Sequence, residues 1–207
     1  MASSLTLFAT YPLAQGISLN LLKGPAAIVN SANCGCLGGG GVDGAISANG
    51  GPTLLQDRRN LPILENSDHE NPVRCTVGSA VMTGPGNYGD LLVPYVIHAV
   101  GPNFWEYCDA DQVKANVLLG LAYKTSLDVA AKYRVEHVAF SLLSAGVYRG
   151  YCPLKTVLRI GVVALDEWSK DIKAVDDSSV SRVYLCCFTD AECISLKEIC
   201  EEQFQKY

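Results

Sequence analysis

Residues 27–51 read AIVNSANCGCLGGGGVDGAISANGG. A continuous apolar run enters a polar turn, four glycines follow in a row, and the chain then takes on helical character. An apolar run containing β-branched residues suits a strand covered on both faces. Four residues without Cβ let the backbone take positive φ and bring its N–H groups close to a ligand. A helix starting directly after them adds amides that have no intrahelical acceptor, which favours an anion without lysine or arginine. The stretch therefore reads as strand, phosphate-suited loop and helix. A glycine-rich structural turn is the alternative these residues alone leave open. No Gly-Lys-Ser or Gly-Lys-Thr follows, and the GxGxxG context of a dinucleotide fold is missing.

Outward from this stretch the same pattern repeats. Short β-branched runs at 5–8, 17–22, 26–30, 78–83, 93–100, 137–142 and 182–188 are expected strands. Amphipathic stretches at 42–49, 53–59, 111–132, 153–168 and 191–205 are expected helices. Leu154, Leu158, Val162 and Leu165 form one stripe, as do Cys193, Leu196, Cys200 and Phe204. Residues 60–74, with Pro62 and Pro72, read as a surface loop. Alternating strands and helices without a linker or repeat predict one α/β domain over 1–207 with a largely buried sheet. A second segment, 141–151 (SLLSAGVYRGY), again leaves a buried strand through small residues toward a helix. In an open α/β sheet two such loops would clasp one ligand beyond the carboxyl ends of their strands.

Composition narrows the function. The chain has 207 residues, 16 basic against 21 acidic, a net charge of −5 and 49% hydrophobic residues. That size fits one core and argues against a disordered chain. An acidic balance argues against a nucleic-acid binder. Apolar runs stop short of the roughly 18 residues that span a bilayer, and the N-terminus lacks a signal peptide's basic region. A soluble, cytoplasmic protein that acts as a monomer away from membranes is the expectation. The nine cysteines include no CxxC pair and read as reduced thiols. The three histidines are far apart, so no metal or cofactor is expected. Cys34 and Cys36 invite a thiol-nucleophile reading, but no histidine lies near them in sequence.

AIVNSAN, LGGGGVDGAI, YVIHAVGP and AFSLLSAGVYRG, in this order, resemble the macrodomain family and especially its ADP-ribosyl hydrolase branch. The resemblance implies a three-layer α/β/α fold with a mixed central sheet of six or seven strands, and a cleft for ADP-ribose or an ADP-ribosylated protein. It implies that Asn33 contacts the distal ribose and that Gly39, Gly40, Gly41 and Val42 line that ribose and the diphosphate. Ser144, Ala145, Gly146, Val147 and Tyr148 would surround the phosphates, and Phe188 would offer a ring to adenine. Asp43 stands where the hydrolases carry an aspartate linked to catalysis; Asp43 and Asn33 are the expected catalytic pair. An aspartate in a helix's first turn also stabilises the dipole, which is its bland alternative.

Two departures stand out. Gln15-Gly16-Ile17-Ser18 replaces the family's GDIT, whose acid receives the adenine amine, and Ser47 stands where the hydrolases commonly have histidine. His98, in a buried strand, reads as structural. Three functions follow: removal of single ADP-ribose units from acidic side chains or deacetylation of O-acetyl-ADP-ribose; a non-catalytic reader of the same fold, favoured by Ser47; and, from another class, an NAD-dependent oxidoreductase.

Overall fold

The computed structural model describes residues 25–204 apart from 66, 69 and 174–178. The strands expected at 5–8 and 17–22, the Gln15–Ser18 departure and His69 lie outside the described residues. Within them the order is β1 (Ala26–Ser31), α1 (Gly41–Asn60), β2 (Ala80–Thr83), β3 (Tyr95–Ala99), α2 (Gln112–Lys132), β4 (His137–Ser141), α3 (Leu154–Lys173), β5 (Arg182–Cys186) and α4 (Asp190–Phe204). The strands fall within two residues of their expected bounds, while α3 continues past Trp168 to Lys173. Among the described residues the sheet has five strands in the order β2-β3-β1-β4-β5. Only β2 runs antiparallel to its neighbour, so the sheet is mixed.

Side chains alternate across the sheet with the strand period of two. Ala27 and Val29, Ile97 and Ala99, and Val138 and Phe140 join residues of α2, α3 and α4 in the main core. On the other face Ile28 and Val96 meet Ile46 and Leu54 of α1 and the ring of Tyr88. Helices thus cover both faces, and each fully buried Leu, Ile or Phe contributes about 1.5–3 kcal/mol. The polar members of the same alternation, Asn30 in β1 and His98 in β3, are fully buried.

The helix α1 is broken rather than continuous. Gly51 takes φ +62 and ψ −160, which only glycine adopts readily, and Pro52 starts the next turn. This break is why 42–49 and 53–59 read as separate helices in the sequence. It also brings the far half of α1 back toward the near half. In a straight helix residues 43 and 58 would lie about 22 Å apart along the axis; here their side chains are in contact. Tyr88 Oη donates to Asp57 Oδ2 at 2.7 Å and holds the returning segment in place.

Candidate functional site

β1 and β4 are parallel neighbours, with Val29 opposite Phe140. The loops that follow them, 32–40 and 142–153, therefore leave the same edge of the sheet side by side. Ser141 Oγ donates to Val29 O at 2.8 Å and lies 3.0 Å from Ser31 Oγ, locking the two strand ends together. Carboxyl ends of adjacent parallel strands are where open α/β sheets bind ligands.

Beneath the first loop lies a buried polar network built around Asp43. This carboxylate, 3% exposed, sits in the first turn of α1 behind Gly40, which supplies no side-chain cap. Its Oδ1 accepts from Asn30 Nδ2 at 2.8 Å and from Arg58 Nη2 at 2.7 Å. Arg58, 1% exposed, spends its other donors on Ser47 Oγ at 2.7 Å and on the Cys36 carbonyl. Ser47 Oγ in turn donates to the Asp43 carbonyl at 2.7 Å. Asn30 Nδ2 also reaches His98 Nδ1 at 3.2 Å, and His98 Nε2 lies 3.1 Å from Thr83 Oγ1. Because the amide nitrogen can only donate, His98 accepts at Nδ1 and carries its proton on Nε2. Burial, reinforced by the charge of Arg58, pushes the His98 pKa down to about 3. The imidazole is thus a neutral spacer, as its place in a buried strand led one to expect.

Two oxygens of this network are left over, Asn30 Oδ1 and Asp43 Oδ2. Asp43 Oδ2 is buried and has no hydrogen-bond partner among the described residues. A Cβ built on Gly39 would stand 3.0 Å from that oxygen and 3.3 Å from Asn33 Nδ2, so both atoms face the same glycine. A buried acceptor left without a donor costs roughly 1–3 kcal/mol. Asn30 Oδ1 bears the same cost, but Asp43 Oδ2 belongs to a charged group and is the one beside Gly39, so it has more to gain from a donor on a ligand. Asn33 serves the loop itself: its Oδ1 accepts from the amides of Gly35 and Cys36 at 3.1 and 3.2 Å, and its Nδ2 donates to Gly38 O at 2.9 Å. Gly39, Gly40, Gly41 and Val42 are exposed along the loop and helix start, with Gly41 at φ +57.

The second loop is held differently. Ser144, buried and at φ +53, turns its hydroxyl inward to Pro102 O at 2.8 Å. Trp105 Nε1 donates to Val147 O at 2.9 Å, and the ring of Tyr151 packs edge-on against Trp105 at 4.4 Å. Ala145 is buried, whereas Val147 is 84% exposed. Burial pushes the Tyr148 phenol up, and the carboxylates of Glu106 and Asp43 add to the shift. Phe188 follows β5, 85% exposed; its amide and that of Thr189 are held by Glu192 in a capping box that starts α4.

Cys36, Cys75, Cys152, Cys187 and Cys200 are buried free thiols, and Cys108 is an exposed one. Among the described residues no group of three or more His, Cys, Asp or Glu side chains is arranged to hold a metal ion, and no helix is long and apolar enough to cross a membrane. A groove of about 570 Å³ between α2 and α3 shares no residue with either loop.

Sequence reasoning missed Arg58, Asn30 and Trp105. Arg58 closes the expected helix at 53–59, and only the break at Gly51-Pro52 signals that residues beyond it fold back. Asn30 carried a signal, a polar residue closing an apolar strand.

The Macro domain family model matches residues 29–160. A Macro domain-containing protein of Caldanaerobacter subterraneus is 36% identical over 166 residues, covering 80% of this chain and 82% of the relative. A Pantoea vagans protein named O-acetyl-ADP-ribose deacetylase 1 is 38% identical over 166 residues, covering 80% and 84%. Among solved structures, an Oceanobacillus iheyensis macrodomain with ADP superposes with a TM-score of 0.71 at 25% identity, covering 88% of this chain and 86% of that one. A Trypanosoma brucei macrodomain in complex with ADP-ribose gives a TM-score of 0.64 at 30% identity, covering 83% and 62%.

Proposed function

The chain belongs to the Macro domain family, and we propose that its cleft binds ADP-ribose and that Asp43 directs water in releasing single ADP-ribose units from acidic side chains, or acetate from O-acetyl-ADP-ribose. The observation that carries this reading is the buried, unpartnered Oδ2 of Asp43, which faces Gly39 beside Asn33. The named activity of the Pantoea vagans relative and the ligands of the two structural neighbours support it.

In this reading the glycine loop and the uncapped first turn of α1 offer amides to the diphosphate and the distal ribose. The backbone of residues 144–148 closes over the phosphates, and the exposed ring of Phe188 meets adenine. Asn33 keeps the loop in shape and has a second N–H of Nδ2 for a ribose hydroxyl. Water held at Asp43 Oδ2 attacks the anomeric carbon of the distal ribose. Its proton passes to Oδ2, the bond from that carbon to the acyl oxygen breaks, and the protein carboxylate leaves. For the acetyl ester the same water attacks the carbonyl carbon and gives its proton to Oδ2; the bond from that carbon to the ribose oxygen breaks, the ribose oxygen takes up the proton, and acetate is released. Neither route needs a cofactor.

A non-catalytic reader is the second reading, and one observation favours it: Asp43 already holds a full cation in Arg58 and is closed off from solvent. Release of ADP-ribose from a protein mono-ADP-ribosylated on glutamate separates the two. Asp43→Asn is the informative variant, since it keeps an oxygen for Arg58 and Asn30 but puts a donor where Oδ2 was. Release by the native chain, falling at least ~100-fold in a variant that still binds ADP-ribose, fits general-base catalysis. Tight binding without release by the native chain makes the protein a reader.

A further inference from the structure

We propose that Arg58 is a positioning residue for this reaction: its guanidinium decides which oxygen of Asp43 is offered to the attacking water, and where that oxygen stands relative to the glycine loop. The inference rests on the hydrolytic role of Asp43 given above.

The argument starts from how the fork is spent. Arg58 Nη2 meets Asp43 Oδ1 at 2.7 Å, Nη1 meets Ser47 Oγ at 2.7 Å, and Nε meets the Cys36 carbonyl. Its acceptors belong to the glycine loop and to the near half of α1, while Arg58 itself comes from the far half beyond the Gly51 break. A planar, rigid guanidinium with all three nitrogens engaged fixes distances among these segments, which a flexible ammonium cannot do. A carboxylate free to turn would present either oxygen. Here Arg58 and Asn30 both claim Oδ1, and Oδ2 alone remains for a donor.

Stability alone does not explain the arrangement. A buried ion pair gains little over well-packed apolar residues, because desolvation offsets most of the attraction. The Asp43–Arg58 pair is buried on both sides, and the fork also seizes the loop carbonyl and a serine whose hydroxyl is oriented by the Asp43 carbonyl. Each added contact fixes direction.

The test uses Arg58→Lys, which keeps the charge but cannot reach all three acceptors together, and Ser47→Ala, which removes one acceptor and leaves the ion pair intact. Single-turnover release from glutamate-modified protein, ADP-ribose affinity and thermal midpoint are measured for both and for the native chain. Misplacement of a reacting group by about 1 Å can cost ~100-fold in rate. The expected result is at least ~10-fold slower release by Arg58→Lys, with ADP-ribose affinity within ~3-fold, and a smaller slowing of ~2- to 5-fold for Ser47→Ala. Native rates in a folded Arg58→Lys overturn the inference, as does a loss of rate matched by an equal loss of affinity. If Arg58→Lys does not fold, Ser47→Ala decides alone, and a native rate in it overturns the inference. A native chain that binds ADP-ribose without releasing it refutes the hydrolytic reading first and this inference with it.

Discussion

The two loops that leave the sheet side by side are anchored differently, only the first over a buried ion pair. The first is fixed from beneath by buried charge and amide groups: Arg58 on the Cys36 carbonyl and on Asp43, and Asn33 on the amides of Gly35 and Cys36. The second is tied by separate bonds along its length, Leu143 N to Tyr123 Oη, Ser144 Oγ to Pro102 O, Trp105 Nε1 to Val147 O and Arg149 Nη1 to Cys152 O, and by an aromatic edge, Trp105 with Tyr151, with the Val147 side chain left outside. The bonds under the first loop converge on one carboxylate and fix its direction, whereas those of the second are spread along the loop and share no central group. Under the proposed function this difference gives the first loop the placing of the reacting group and the second the covering of the ligand.

The largest difference is expected in stability. Arg58→Ala leaves the Asp43 carboxylate buried without its cation, a change worth about 3–5 kcal/mol. Ser144→Ala, the corresponding cut under the second loop, removes one neutral hydrogen bond and about 0.5–1.5 kcal/mol. Denaturant unfolding of the two variants measures the gap; equal losses would mean that the loops are anchored alike.

Acid sharpens the same contrast through the network under the first loop. The unfolded chain's imidazole takes up a proton below pH 6.5, but folded His98 does so only near about 3. Lowering the pH through that interval therefore favours the unfolded state by about 1.4 kcal/mol per unit. Near pH 4.5 the loss relative to pH 7 is about 2–3 kcal/mol from this residue. His98→Gln is expected to narrow the difference in unfolding free energy between the two pH values by that amount, and an unchanged difference would remove His98 from the acid response.

Adding one methyl group gives a smaller effect of the same kind. A Cβ at Gly39 stands 3.0 Å from Asp43 Oδ2, while one at Gly146 meets nothing within 4 Å. Gly39→Ala is expected to slow release by ~10-fold or more, in line with displacement of a reacting group. Gly146→Ala is expected to leave single-turnover release at saturation within ~3-fold of native. Equal sensitivity at both glycines would show that the loops share the placing role.

Much of this was legible before the fold was in hand. Apolar runs marked the five described strands because most are covered on both faces, and Gly51-Pro52 marked the break in α1 because glycine admits positive φ and proline lacks the N–H. The glycine run and Asp43 were visible for the same local reason. Arg58 was hidden because its contact with Asp43 spans 15 positions and exists only after the helix folds back. Trp105 was hidden because its bond to Val147 spans 42 positions and joins two loops that only the sheet brings together. Asn33 was expected to face the ligand, and its spacing could not reveal that its side chain also closes its own loop.

The contrast between the loops is tested most directly by one paired measurement: single-turnover release of ADP-ribose and equilibrium ADP-ribose affinity in Asp43→Asn and Trp105→Ala. Asp43→Asn is predicted to lose release while its affinity stays within ~10-fold of native, because the general base is lost and the cleft is kept. Trp105→Ala is predicted to weaken binding several-fold and to release at close to the native rate once saturated, as loss of uniform binding requires. If both variants lose rate and affinity in the same proportion, the division of labour between the two loops is wrong.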